Sequence, residues 1–129
     1  MATHHIWNDF MSDRIKALNN INYTPKKVLD IGANIGQFHD MITSIFPDVE
    51  MLSIEGNVNC EKYLKEKNLN YKICMLSNSE KLATFYTNTE VCGGSSLFKE
   101  TTEYYVNSQE IKVNTTTLDS IIPPSIVYD

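Results

Sequence analysis

The sequence predicts a mixed α/β fold, in which a parallel β-α-β-α-β half is followed by antiparallel strands. Its 129 residues suffice for one compact domain with a single core, and 42% of them are hydrophobic. Short apolar runs alternate with helical periodicity between residues 28 and 76, as is typical of a right-handed parallel sheet. Beyond residue 79 the pattern becomes alternating and rich in Thr and aromatic residues, which favours antiparallel strands. We therefore predict a single domain over residues 1–129.

The charge and the cysteine pattern exclude several classes of partner. A formal net charge of −5 disfavours binding to nucleic acid or to anionic lipid. No run approaches the roughly 18 apolar residues of a membrane-spanning helix, and polar residues interrupt the N-terminus where a signal peptide would be apolar. The three cysteines lack the spacing of a disulfide framework or a zinc site. We expect a cytoplasmic protein with no metal, no nucleic-acid partner and no membrane partner.

The first elements are predicted from hydrophobic spacing and helix-boundary signals. An amphipathic helix is predicted over residues 5–19, followed by a buried strand that starts at Lys27 and ends at Gly32. Asn34 is the expected N-cap of the next helix, with Gln37 completing a capping box, and this helix should end at Pro47. The helical spacing of the N-terminal segment comes from Ile6, Trp7, Phe10, Met11, Ile15 and Leu18.

The remaining elements follow from the same two kinds of periodicity. Residues 58–67 suit a helix with Tyr63 and Leu64 inward, and residues 92–96 suit a flexible loop. Residues 107–108 form a polar turn between two predicted strands. The predicted strands are Glu50–Ile54, Tyr71–Leu76, Lys81–Thr87, Tyr104–Val106 and Ile111–Val113, and a last segment covers Thr117–Ile122.

A glycine turn at the end of the first strand is the most informative site in the sequence. Asp30, Gly32, Asn34 and Gly36 lie at a strand-to-helix junction, where glycine lets the backbone approach a ligand closely. N–H groups at a helix start also present partial positive charge, so an anionic or polar group is expected to dock there. The turn lacks the third glycine of the dinucleotide-binding fingerprint.

Two further polar residues follow the next strands of the predicted sheet. Glu55 ends the second strand, and the parallel arrangement would place its carboxylate beside the glycine turn. Because a carboxylate accepts two hydrogen bonds at once, Glu55 can hold the vicinal hydroxyls of a ribose. Asn78 follows the third strand and is expected to reach the same crevice, where it could pair with an adenine edge. A solvated turn residue is the alternative for both positions.

Six segments in order carry a family resemblance: Val28–Gly36, Ile54–Asn57, Cys74–Asn78, Ala83–Tyr86, Gly93–Leu97 and Val113–Asp119. Together they resemble the FkbM family of S-adenosylmethionine-dependent methyltransferases. The resemblance implies a Rossmann-like class I methyltransferase fold, S-adenosylmethionine as cofactor, and a small-molecule or glycan acceptor that is methylated on oxygen. It further implies that Asp30, Gly32, Asn34 and Gly36 surround the methionine part of the cofactor, with Glu55 at the ribose and Asn78 near the adenine.

The resemblance covers about residues 27–122 and has one large departure. In the family, the segment like Thr117-Leu118-Asp119 leads into a fourth parallel strand with an acidic, lysine-containing motif, whereas this sequence ends at Asp129. We therefore expect the cofactor-binding half, truncated before the fourth parallel strand, and we name no catalytic residue. The edge of the first strand should then be covered by a second copy of the chain, by the helix around Trp7 and Phe10, or by another polypeptide.

Three functions from different classes remain open on the sequence. The leading one is the N-terminal, cofactor-binding portion of an O-methyltransferase, and the second is a non-catalytic binding or assembly module. An NAD-dependent oxidoreductase is disfavoured, because Asn34 stands where the dinucleotide fingerprint has its middle glycine. The loop Gly93–Ser96 offers no core anchor, so it is expected to be mobile and to overhang the crevice.

Overall fold

The computed structural model describes residues 2–87, 92–99 and 101–129 as a mixed α/β fold with two three-stranded sheets. The helices are α1 (Ala2–Lys16), α2 (Gln37–Ile45), α3 (Glu61–Glu66) and α4 (Leu118–Ile121). The strands are β1 (Lys27–Ile31), β2 (Glu50–Glu55), β3 (Tyr71–Ile73), β4 (Met75–Leu76), β5 (Leu82–Thr87) and β6 (Gln109–Thr116). Short 3₁₀-helices cover Ala17–Ile21, Val58–Cys60 and Glu103–Tyr105.

The first sheet has the strand order β1-β2-β3 and is parallel throughout, as predicted. Helix α2 connects β1 to β2, and α3 follows β2, so both crossovers run in the same direction across the sheet. Right-handed crossovers of this kind place both helices on one face. An ion pair between Asp40 of α2 and Lys67 at the end of α3 agrees with this placement. Leu64 of α3 is fully buried, as predicted.

The start of α2 differs from the sequence prediction. Asn34 is not the N-cap: its φ is 52°, in the left-handed region, and α2 begins at Gln37 with Gly36 as the N-cap. The N–H of Gly36 donates to the carbonyl of Ala33 at 2.8 Å, which closes an extra turn before the helix. Because Gly36 also has a positive φ of 85°, the helix begins two residues later than it would with Asn34 as the N-cap.

The predicted third strand is divided between the two sheets. β3 pairs with β2 only as far as Ile73, and the N–H of Cys74 donates to the carbonyl of Glu55, the last residue of β2. Since β2 has ended there, the following residues of β4 pair in parallel with Thr115 and Thr116 of β6. A prediction of one continuous strand over residues 71–76 is therefore wrong.

The second sheet has the order β4-β6-β5, and β5 is antiparallel to β6. The predicted strand over residues 104–106 is wrong, because Glu103–Tyr105 forms a 3₁₀-helix instead. Tyr105 is buried with 7% of its surface exposed, whereas Val106 is 78% exposed. The predicted local hairpin through residues 107–108 does not form, because β6 takes its antiparallel partner from β5, more than twenty residues earlier in the chain.

The N-terminal helix lies against α2, and its bounds are close to the predicted 5–19. Phe10 is 52% exposed, so the apolar stripe is only partly packed. At the β1 edge, the backbone N–H of Asp129 donates to the carbonyl of Lys27 at 2.7 Å. Hydrogen bonds from the Tyr23 hydroxyl and from the N–H groups of Lys27 and Lys26 lower the pKa of Asp129 to about 2. The C-terminal residue therefore covers the beginning of this edge, while Ile31 at its other end is 56% exposed.

Candidate functional site

A cleft of about 210 Å³ opens where β1 and β2 end. Its walls come from both sheets and are mainly apolar, with Glu55 as the charged side chain in the lining. Ile31 and Ile54 are register partners on adjacent strands and form one wall. The lining residues are Ile31, Gly32, Ile54, Glu55, Gly56, Cys74, Met75, Leu76, Phe85, Ser95, Ser96 and Leu97.

The glycine turn presents an open position to this cleft. Gly32 has a φ of +83°, and a Cβ added there would meet nothing within 4 Å. Glycine is therefore required at this position by the backbone conformation and not by crowding. Gly36 behaves differently, because an added Cβ would lie 3.0 Å from Leu69 Cδ1, so Gly36 serves packing between α2 and the chain after α3.

Four N–H groups of the turn are already engaged within the protein. The N–H groups of Gly32 and Ala33 both donate to the carbonyl of Ile54, and that of Asn34 donates to Glu55. The N–H of Gly36 is also bonded within the turn. A phosphate or pyrophosphate would find these four donors already engaged, which argues against a dinucleotide bound at this turn.

Glu55 is fixed at the floor of the cleft by two backbone hydrogen bonds. Its Oε2 accepts from the N–H of Asn34 and its Oε1 from the N–H of Asn57, both at 2.7 Å. A carboxylate offers about four lone-pair sites, so about two remain for a ligand. The side chain is thus both a clamp between the two loops and a preorientated acceptor, a double role that the sequence did not show.

Asp30 precedes the glycine turn but does not line the cleft, and it is 7% exposed. Its Oδ2 is buried and accepts no hydrogen bond from the residues that the structure describes. Burial raises the pKa of Asp30 to about 6, with His39 opposing this shift and Glu55 adding to it. Asp30 pairs with Ser53 in the sheet, so its side chain lies on the face opposite to Ile31. A cationic group beside the turn would offset the desolvation free energy of this buried carboxylate.

The other two predicted site residues differ in their placement. Asn34 is half-buried beside the cleft floor, where its backbone reaches Glu55 and its Oδ1 accepts a hydrogen bond from the Cys60 thiol at 3.7 Å. Asn78 is exposed, and its Oδ1 accepts hydrogen bonds from the hydroxyls of Ser77 and Ser79. The structure therefore brings Asn34 to Glu55 but leaves Asn78 outside the cleft lining.

The loop over residues 93–96 lies at the cleft, as predicted, but it is anchored. Ser96 exchanges two backbone hydrogen bonds with Tyr86 of β5, at 2.8 and 3.0 Å. The hydroxyl of Ser95 lies 3.3 Å from Asn57 Nδ2 and 3.2 Å from Thr87 Oγ1. The prediction that this loop has no core anchor did not foresee these polar contacts, in which hydroxyl and backbone groups hold the loop.

The apolar walls are the part of the site that sequence reasoning missed. Phe85, Met75 and Leu97 come from the second sheet and its connections, and the parallel half gives no signal for them. The sequence could have predicted the wall formed by Ile31 and Ile54. Both residues lie near the carboxyl ends of adjacent parallel strands, and they are register partners.

Comparisons with protein-family models, with curated proteins and with solved structures return no match for this chain. Within residues 2–87, 92–99 and 101–129, no helix is long and apolar enough to cross a membrane. In the same ranges, no three His, Cys, Asp or Glu side chains are grouped closely enough to hold a metal ion. The site therefore has to be interpreted from its own geometry.

Proposed function

We propose that the cleft binds S-adenosylmethionine, and that the chain is the cofactor-binding part of an FkbM-like methyltransferase with a Rossmann-like fold. The observation that carries the proposal is the Glu55 carboxylate, held at the floor of an apolar cleft with part of its accepting capacity free. Vicinal ribose hydroxyls are the donors that fit such a carboxylate, and the apolar walls suit the flat face of an adenine.

Asp30 lies outside the cleft lining, on the opposite face of β1, and would support the same ligand through its charge next to the glycine turn. A buried carboxylate without a hydrogen-bond partner at Oδ2 favours a cationic group nearby, and the methionine part of the cofactor carries an ammonium group. Gly32 leaves the backbone beside it open to a ligand. When bound, the cofactor supplies a methyl group on a sulfonium centre for transfer to a nucleophilic oxygen. The residues of this chain would bind and orient it, and the acceptor would be a small molecule or a glycan.

NAD is a weaker candidate for the same cleft. A dinucleotide would place its pyrophosphate on the N–H groups of the turn, but those of Gly32, Ala33, Asn34 and Gly36 already donate within the protein. A non-catalytic binding module remains the alternative from a different class, and it would use the same fold without methyl transfer.

Isothermal titration calorimetry of the purified chain with S-adenosylhomocysteine, S-adenosylmethionine and NAD tests the proposal. We expect both sulfur ligands to bind with dissociation constants of about 1 to 100 μM and NAD to give no measurable heat. NAD binding in preference to S-adenosylhomocysteine would reject the proposal. So would a folded chain that binds neither.

A further inference from the structure

Asn57 connects the floor of the cleft to the segment that closes it from above. The side chain is buried, with 1% of its surface exposed. Its backbone N–H donates to Glu55 Oε1, its Oδ1 accepts from the N–H of Asn59 at 3.1 Å, and its Nδ2 lies 3.3 Å from the Ser95 hydroxyl. One residue therefore contacts the cleft carboxylate, the following 3₁₀-helix and the roof segment, which we define as Cys92–Leu97.

Hydrogen bonds at both ends of the roof segment fix it to the two sides of the cleft. Ser95 also lies 3.2 Å from Thr87 Oγ1 at the end of β5, and Thr87 is 2% exposed. At the other end of the segment, the thiol of buried Cys60 lies 3.9 Å from the carbonyl of Cys92. If the roof segment lifted, the buried Asn57 amide would lose its partner, which favours the docked position.

We propose that Asn57 is a positioning residue that ties the docking of the roof segment to ligand binding at Glu55. The proposal rests on the proposed function, because the ligand is taken to be the ribose of the S-adenosyl group. Hydroxyls bound to Glu55 fix its carboxylate, and the fixed carboxylate restrains the Asn57 backbone and so the direction in which Nδ2 points. Ligand binding should therefore slow the opening of the roof segment, although the ligand need not touch Ser95.

Hydrogen exchange of the backbone amides in the roof segment tests the anchor without any ligand. Asn57 itself is a poor target, because its substitution also removes the cap on Asn59. Ser95→Ala removes the hydroxyl and with it the contacts to both Asn57 and Thr87, so we expect exchange of the Ser96 amide to rise at least about fivefold. Ser95→Thr keeps the hydroxyl and should restore the slow rate. Ser44→Ala is the matched control, since it removes a hydroxyl that bonds only within α2. Equal exchange in wild type and Ser95→Ala would overturn the inference.

The same measurement with S-adenosylhomocysteine tests the coupling. The ligand should slow exchange of the roof segment about fivefold in wild type and less than about twofold in Ser95→Ala. Equal slowing in both proteins would overturn the coupling. If wild type binds no S-adenosylhomocysteine, the proposed function fails and the coupling to that ligand fails with it. The ligand-free comparison still decides whether the Ser95 hydroxyl, through Asn57 and Thr87, anchors the roof segment.

Discussion

The two sheets of this protein differ in how far apart their partners lie along the chain. In β1-β2-β3, each strand pairs with the next one along the chain, and a helix lies between them. In β4-β6-β5, Leu76 pairs with Thr116 and Leu82 pairs with Asn114. The middle strand of this sheet is therefore the last strand in the sequence. The first sheet therefore follows from local patterns, whereas the second depends on pairings that only the folded chain reveals.

The two sheets also contribute different chemistry to the cleft. The parallel sheet supplies Glu55 and the glycine turn at its strand ends, and the second sheet with its connections supplies apolar side chains and the roof segment. The parallel sheet therefore provides the polar groups of the cleft, and the second sheet provides its apolar enclosure. A ligand in the cleft would contact both, so the sheets are expected to act as one cooperative unit.

The largest expected effect comes from removing the apolar contribution of the second sheet. Phe85 is 4% exposed and lines the cleft, so Phe85→Ala should lower the free energy of unfolding by about 3 to 5 kcal/mol. Phe98→Ala is the matched control, because Phe98 is 78% exposed and its loss should change stability by no more than about 0.5 kcal/mol. Urea unfolding followed by circular dichroism measures both. Two separate transitions would contradict the single cooperative unit.

The next effect concerns the polar side of the comparison and depends on pH. The pKa of Asp30 is raised from 3.8 to about 6, so the folded state binds this proton more tightly than the unfolded chain does. The stabilising contribution is therefore full below about pH 4 and is lost as pH rises through about 6. The free energy of unfolding of Asp30→Asn, measured relative to wild type, should therefore rise by up to about 3 kcal/mol between pH 4 and pH 7. A stability difference between the two proteins that is constant over this range would contradict the account.

The sequence predicted the parts of the site that depend on strand ends. Glu55 lies beside the glycine turn as predicted, where it accepts a hydrogen bond from the Asn34 N–H, because parallel strands bring their carboxyl ends to one edge. Asp30 instead lies outside the cleft lining, on the face of β1 opposite to Ile31. Asn78 was expected in the crevice for the same reason, but the chain leaves the parallel sheet after Ile73 and carries Asn78 out with it.

The position of the roof segment at the cleft was predicted, but its anchors on Tyr86 and Thr87 of β5 were not. The wall residues Phe85, Met75 and Leu97 could not be predicted either, since they depend on the long-range pairings of the second sheet.

A smaller effect separates the two glycines of the turn. Both have positive φ values, of 83° and 85°, so alanine at either position costs about 1 to 2 kcal/mol in backbone strain. Gly36→Ala should cost about 1 kcal/mol more than Gly32→Ala, because its Cβ would press against Leu69. Gly32→Ala should instead weaken binding of S-adenosylhomocysteine. Thermal unfolding and calorimetry of the two variants measure these effects, and a reversed order of stability would show that the crowding at Gly36 is relieved at no cost.

The most direct test of the account is the dissociation constant of S-adenosylhomocysteine for Glu55→Gln. This variant keeps one side-chain oxygen for the backbone clamp but loses the charge and an acceptor, so affinity should fall at least about tenfold. Glu50→Gln is the control: Glu50 lies at the other end of the same strand, is exposed and pairs with Lys27, and its substitution should leave affinity within about twofold of wild type. If Glu55→Gln binds the ligand as tightly as wild type, then Glu55 does not bind the ribose and the central claim is wrong.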